Sequence, residues 1–360
     1  MIKILHIART EKSHPTFRNF IESLSKYEHI VVSTTEPVSL RSIFNIKYTK
    51  LKLKALVTLM KVRPDIIIVR EYFGLPFGLF ITFIAKMLRI KTVAISDIPE
   101  YALPKFRLGF ANIIKILRYP FYVIHAHILD IIVCFTEYEL EILSKVSINV
   151  SSKARIIPFG CDLNFNKVPR LRKQYILSVA TWSERKNLDT ILRAFKEISR
   201  EYDVKLYIVG GFSNENYKRR IMNLTDSLRL KNVKFFGYIS KDSEEFKDLF
   251  ENAKIFYLPS KMETFGRVYI EAMASGTPIV AMKNSAVQYV VKDGVTGFLR
   301  NDEEGQKEAI LRLLTDEKLY KEMQKNCLKE AEKYKWENVI KKWESLIEGL
   351  VGIKNERRKE

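Results

Sequence analysis

Short apolar runs, each followed by a stretch of helical period, recur along this chain, stop once, and then restart. In the first half the runs are Ile2 to Ala8, His29 to Ser33, Asp65 to Arg70, Lys91 to Ser96, Ile131 to Phe135 and Arg155 to Pro158. Helix-like stretches such as Pro15 to Lys26, Leu51 to Lys61 and Pro76 to Arg89 separate most of them. A strand that is apolar without strict alternation buries both faces, as in a parallel sheet covered by helices on either side. A charged stretch ending in Lys167, Val168, Pro169, Arg170, Leu171, Arg172 and Lys173 has few apolar anchors and reads as a linker. The alternation resumes with Tyr175 to Ala180, Val204 to Val209, Val233 to Phe236, Ile255 to Leu258 and Pro278 to Ala281, around helices that include Asn187 to Ser199 and Arg267 to Ala274. Asp302 to Gly349 reads as helices throughout. The expected fold is α/β, with two Rossmann-like doubly wound domains facing a cleft. The expected boundaries are 1–165, 166–335 and a helix in 336–360 that returns to the N-terminal domain. A length of 360 residues suits two cores better than one.

Composition narrows the function classes. The 61 Lys and Arg against 42 Asp and Glu leave a net charge of +19, which favours anionic partners: nucleic acid, nucleotides or phospholipid headgroups. No zinc-finger, helix-turn-helix or RNA-binding sheet motif accompanies that charge, and it is dispersed rather than clustered, so nucleic acid is not the expected partner. Cys134, Cys161 and Cys327 are far apart and lack metal-ligand spacing, which predicts buried apolar fillers in an intracellular protein. The chain opens on the run Ile2, Lys3, Ile4, Leu5 without the layout of a signal peptide, so no export is expected. The longest uncharged stretch, Tyr72 to Ala85, is broken by Gly74, Pro76 and Gly78 and is too short to span a bilayer, for which about 20 apolar residues are needed.

The most specific segment follows the run ending Tyr257, Leu258, Pro259 and extends from Ser260 to Pro278. It places Glu263 in a strand-to-helix loop, then Thr264 and a Phe265-Gly266 turn, then Arg267 opening a helix that carries Glu271. Unpaired N–H groups at Gly266 and Arg267 make such a helix start ready for an anion. A carboxylate accepts two neighbouring sugar hydroxyls well, which suits Glu271 to a ribose and Glu263 to a hexose. A second loop, Ser178 to Asn187, sets Arg185 and Lys186 before a helix, where an ammonium and N–H dipoles can meet one diphosphate. Gly210 and Gly211 follow the run Leu206 to Val209 and would let backbone approach a nucleotide, although an ordinary tight turn would look the same.

At these residues the chain resembles the GT-B glycosyltransferases, specifically the retaining group called family 4, or glycosyl transferases group 1. The family's pair of glutamates eight apart appears as Glu263 and Glu271, and its donor-phosphate lysine as Lys186. The segment Phe236-Gly237-Tyr238-Ile239 resembles the one whose backbone contacts the donor base. The likeness covers about Tyr175 to Leu299 and, more loosely, the N-terminal half. It implies transfer of a hexosyl unit from a UDP- or GDP-sugar with retention of anomeric configuration, to a glycan or polyprenyl-linked acceptor. It also implies no cofactor and no metal, consistent with the absence of any Asp-x-Asp sequence.

The chain departs from the family pattern at three places. An arginine usual five or six residues before the lysine is replaced by Ala180 or Thr181, and Arg185 either substitutes for it or is an exposed loop residue. A Gly-Gly loop after the first strand is replaced by Arg9 to Pro15, and a histidine after the fourth strand by Ser96-Asp97. Asp97 is the candidate for the acceptor side or the donor hexose, or else a helix cap. These departures keep open a degenerate transferase that binds nucleotide without turnover. A sugar-nucleotide epimerase or a phosphorylase would share the architecture, and a basic nucleic-acid-binding protein would share the charge. His125 and His127 are two apart in a helix and cannot share a metal on one face. Finally, Lys105 to Leu129 is basic and aromatic, and it and Tyr72 to Ala85 are either core helices or a surface laid on an anionic membrane. The expected location is cytoplasmic, at the inner membrane face in the second case.

Overall fold

A computed structural model of the protein describes residues 1–8, 15–33, 46–70, 76–96, 110–145, 147–161 and 173–352. Asp97, the loop 9–14 and the linker residues 162–172 lie outside them. The chain divides into two compact units, Met1–Gly160 with Trp336–Glu360, and Cys161–Lys335. Cys161 donates its N–H to the Tyr334 carbonyl at 2.8 Å and bridges to Lys335, so the chain enters and leaves the second unit side by side.

The first unit runs β1 (Lys3–Ala8), α1 (Pro15–Ser23), β2 (Glu28–Ser33), α2 (Ile46–Val62), β3 (Ile66–Arg70), α3 (Pro76–Met87), β4 (Lys91–Ile95), α4 (Phe110–Ile128), β5 (Ile131–Cys134), α5 (Glu137–Ser144), α6 (Ile148–Ser151) and β6 (Ala154–Ile156). Its six strands lie parallel in the order β2-β1-β3-β4-β5-β6. Alternate residues of one strand feed opposite cores. Leu5, Ile7, Ile67 and Val69 pack under Ala55 and Leu59 of α2 and Phe77, Ile81 and Ala85 of α3. Ile4, Ile66 and Ile68 face the other way, toward Phe20 and Leu24.

The second unit continues with β7 (Tyr175–Val179), α7 (Leu188–Glu201), β8 (Lys205–Val209), α8 (Glu215–Ser227), β9 (Val233–Gly237), α9 (Glu244–Asn252), β10 (Ile255–Leu258), α10 (Arg267–Ala274), β11 (Ile279–Ala281), α11 (Val287–Val290), β12 (Gly297–Leu299), α12 (Glu303–Thr315) and α13 (Glu317–Ala331). The last helix, α14 (Trp336–Val351), belongs to the first unit. There Trp343 meets Phe20 edge to face at 5.0 Å, and Val339, Ile340 and Ile347 join the same core.

The second sheet, also parallel, has the order β12-β11-β10-β7-β8-β9. This is the order of a dinucleotide-binding doubly wound sheet, whose strand sequence reverses direction between β7 and β10. One strand, β12, is not among the expected apolar runs. It is three residues long and opens on Gly297, where a methyl group would stand 2.1 Å from the Ile279 carbonyl oxygen, so backbone proximity rather than apolar pattern specifies it. Cys134, Cys161 and Cys327 are all buried and not disulfide-bonded.

Candidate functional site

Strands of the second sheet end on one edge, and the loops that follow them interlock. After β7 the chain is pinned by Trp182, fully buried, whose ring N–H donates to the Val209 carbonyl at 3.1 Å. The Trp182 backbone N–H donates to Gly211 and its carbonyl accepts from Ser213, each at 2.8 Å. The Gly210 N–H then donates to the Gly237 carbonyl at 2.5 Å, which joins the loops after β8 and β9. Gly210 has φ +118°, and a methyl group on it would stand 1.8 Å from the Ala180 carbonyl oxygen. Its missing side chain therefore serves the contact between two loops. Gly211, with nothing within 4 Å of its would-be methyl, keeps the open backbone expected of both.

Arg185 and Lys186 stand in a short 3-10 turn, Glu184–Lys186, ended by Asn187 at φ 60°. Across the reversal point the loop after β10 meets them. The Lys261 N–H donates to the Arg185 carbonyl at 2.8 Å, and the Arg185 guanidinium donates to the Met262 carbonyl at 3.0 Å. Lys186 Nζ lies 2.5 Å from Glu263 Oε1, and Arg185 lies 3.7 Å from Oε2. The Lys186 and Glu263 side chains are only 11% and 6% exposed, so the pair is largely removed from water. Burial lowers the Lys186 ammonium below its ordinary value, Glu263 partly restores it, and the Arg185 charge lowers it further.

Glu263 is itself held from behind. Its N–H donates to Ser285 Oγ at 2.9 Å and its carbonyl accepts from Ala286, while Asn284 donates to the Ser260 carbonyl at 2.7 Å. The turn then reaches Gly266, the residue before α10, at φ +81°. A methyl group there would come within 2.5 Å of the Tyr269 ring and 3.8 Å of Glu263 Cγ, so the glutamate lies beside the helix start. Thr264 and Arg267 are half-buried at that start. Phe265 is buried, its ring edge-on to Tyr334 with 6.0 Å between centroids, an apolar anchor beneath the turn.

Glu271, 9% exposed, pairs with Lys241 through Oε1. Its Oε2 is buried and has no hydrogen-bond partner among the described residues. A buried carboxylate oxygen left without a donor is costly unless a ligand supplies one. Tyr238 and Ile239 follow the positive-φ Gly237 on the way to Lys241, with Tyr238 exposed to 82%.

The expected Lys186 and Glu263 therefore meet directly, and Glu271 stands in the second turn of the helix that Gly266 opens. Lys241 and Ser285 are additions that the sequence reading misses. Both follow strands, β9 and β11, at the same sheet edge, and that placement is the available signal. Among the described residues no group of three or more His, Cys, Asp and Glu could hold a metal ion.

Residues 162–330 match the family model described as Glycosyl transferases group 1. The chain is 29% identical over 173 residues to an uncharacterized glycosyltransferase, MJ1607, of Methanocaldococcus jannaschii, covering 47% of this chain and 43% of that protein. It is 28% identical over 284 residues to the alpha-monoglucosyldiacylglycerol synthase of Streptococcus pneumoniae, covering 72% of this chain and 61% of that one. The matched segments thus span about half the length of these curated relatives. In three dimensions the chain resembles Anabaena Alr3699/HepE, solved in complex with UDP and glucose, with a TM-score of 0.75, 17% identity, and coverage of 97% of this chain and 100% of that one. The shared fold is GT-B.

Proposed function

We propose, from the premise that residues 162–330 form a glycosyl transferases group 1 domain, that the protein transfers a hexosyl unit from a nucleotide sugar to a hydroxyl acceptor. The observation that carries the reading is the meeting of Lys186 and Glu263 across the strand-order reversal, the place where open α/β sheets bind ligands. Nearby, Glu271 presents a buried oxygen without a donor, suited to a ribose hydroxyl. The donor is a UDP- or GDP-hexose. The UDP complex of the Anabaena neighbour supports the first choice.

In this reading the diphosphate lies against Lys186, Arg185 and the N–H groups at Gly266 and Arg267, while Glu263 accepts hydroxyls of the hexose. The base lies against Tyr238 and Ile239. The anomeric C–O bond to the diphosphate breaks, its electron pair leaving with the nucleoside diphosphate. The acceptor oxygen bonds to the same carbon from the same face, and its proton passes to a leaving diphosphate oxygen. Fixed charges around the oxocarbenium-like centre stabilise that transition state. Glycan and lipid-linked hydroxyls are the acceptor classes we propose, with Asp97 on the acceptor side or at the donor hexose. No divalent ion is required, so EDTA should leave the rate unchanged.

Thermal shift against a panel of nucleotide sugars tests the reading, since a ligand at about a hundred times its Kd adds about 2.7 kcal/mol to stability. The matching sugar nucleotide should raise Tm and release nucleoside diphosphate when acceptor is present, and the product's anomeric coupling should equal the donor's. A rise in Tm with no release under any acceptor would identify a nucleotide-binding protein without turnover.

The depressed Lys186 adds a pH signature. Binding an anion favours the ammonium, so association takes up a proton wherever Lys186 is neutral in the free protein. UDP affinity should hold at neutral pH and fall as pH rises through a value below 10.5, the ordinary lysine value. Titration calorimetry in buffers of different ionisation heat measures the uptake. A profile identical in Lys186→Met would assign the effect elsewhere.

A further inference from the structure

Helices α2, α3 and α4 form one layer of the first unit, α3 packing against α2 on one side and α4 on the other. All three helices bury residues on their inner faces, and their outer faces carry exposed apolar side chains too. On α2, Leu53, Val57 and Met60 recur at helical spacing and are 61%, 40% and 58% exposed, while Ala55 and Leu59 are buried beneath the helix. On α3, Phe80, Phe83 and Met87 are 49%, 54% and 68% exposed, opposite buried Phe77, Ile81 and Ala85. On α4, Phe121 and Ile124 continue the ridge. Of the twelve large apolar side chains exposed among the described residues, eight stand on these three helices. An ordinary surface helix turns a polar face outward, and single exposed apolar residues need no explanation, but a shared ridge does.

The charge beside the ridge chooses the occupant. The helices α2, α3 and α4 together hold eight Lys or Arg and no Asp or Glu. Lys54, Lys61 and, just after α3, Arg89 are exposed, while Lys86 pairs with Asp130. A second copy of this face would set like charges against each other, which opposes an isologous dimer. Aromatic and aliphatic side chains flanked by cations suit the boundary between acyl chains and anionic headgroups, where long basic side chains reach outward to phosphate. No described helix is long and apolar enough to cross a membrane, so contact would be lateral.

We propose that the α2–α3–α4 face of the first unit docks onto an anionic lipid bilayer, its ridge entering the interface and its lysines meeting the headgroups. The attraction is to surface charge rather than to one headgroup. An open cavity of about 430 Å3 beside Phe83 has its cations already engaged, Lys86 with Asp130 and Lys153 with the His127 and Leu129 carbonyls. The proposal stands apart from the transfer reaction, because it predicts partitioning whether or not any sugar is moved.

The test is sedimentation of the full chain with vesicles. Phosphatidylglycerol and phosphatidylserine vesicles should both carry the protein down at low salt, phosphatidylcholine vesicles should not, and added salt should release it. Phe83→Glu with Met87→Glu, and separately Leu53→Glu with Met60→Glu, should each weaken partitioning by at least about tenfold, since each puts charges where apolar area enters the interface. Val295→Glu, an exposed apolar site in the second unit, should not. Unchanged Tm and an unchanged UDP thermal shift in the variants would show that fold and nucleotide site are intact. No sedimentation with anionic vesicles at low salt overturns the proposal, as does equal loss in the Val295→Glu control. A face that instead captures an acidic protein while ignoring vesicles also overturns it.

Discussion

Lys186→Met is expected to destabilise the second unit by about 3 to 5 kcal/mol, the cost of leaving one member of a buried ion pair without its partner. Glu263 would keep its charge at 6% exposure, with only the more distant and half-exposed Arg185 to compensate. Combining Lys186→Met with Glu263→Gln should recover most of the loss, because removing both charges also removes the penalty of burying either. The same double variant should not recover nucleotide binding. In the proposed site the diphosphate lies against the ammonium, so UDP affinity should stay at least about tenfold below that of the unaltered chain in both variants. Urea unfolding and UDP thermal shift, measured on the two singles and the double, separate the roles. If the Lys186→Met protein unfolds at the same urea concentration as the parent, the pair is better solvated than its burial indicates. If the double variant binds UDP normally, the diphosphate is not held at Lys186.

Gly210→Ala should cost more than about 4 kcal/mol, a size reserved for backbone collisions and similar faults. The added methyl would stand 1.8 Å from a carbonyl oxygen, and the residue would have to keep φ +118°, a conformation that side chains other than hydrogen resist. Relief requires the loops after β7 and β8 to part, which breaks the Gly210–Gly237 hydrogen bond and disturbs the seat of Trp182. Gly211→Ala, one residue on with empty space around it, should change stability by about 0.5 kcal/mol or less. Expression of folded protein and urea midpoints for the two variants make the comparison. Gly210→Ala within about 1 kcal/mol of the parent would mean that the three loops are not rigidly joined.

Much of the site is readable in the chain because its parts are local. The stretch from Glu263 through Gly266 to Glu271 is a strand-to-helix turn whose chemistry lies within nine residues, and Lys186 stands at an equivalent turn. Features made by distant segments are not readable in this way. Nothing near Ser285 or Lys241 marks them as partners of Glu263 and Glu271, because those contacts depend on the loops after β11 and β9 meeting at one edge. The pattern around Gly210 suggests backbone open to a nucleotide, and nothing in it marks the Ala180 carbonyl that a side chain there would meet. The strand at Gly297 escapes notice because it opens on a glycine specified by the nearby Ile279 backbone rather than by an apolar run.

Period and turn chemistry in the chain itself determined two parallel α/β sheets and the acidic, glycine and lysine residues that follow strands. Those properties arise from neighbours within a few positions, so linear order carries them. Tertiary structure alone decided that Lys186 and Glu263, 77 residues apart, form one ion pair. It also decided that α2, α3 and α4, packed in one layer, each expose apolar side chains. Such facts depend on strand order and on which side of a helix meets a sheet, and these are settled only when segments remote in the chain compete to bury the same surface.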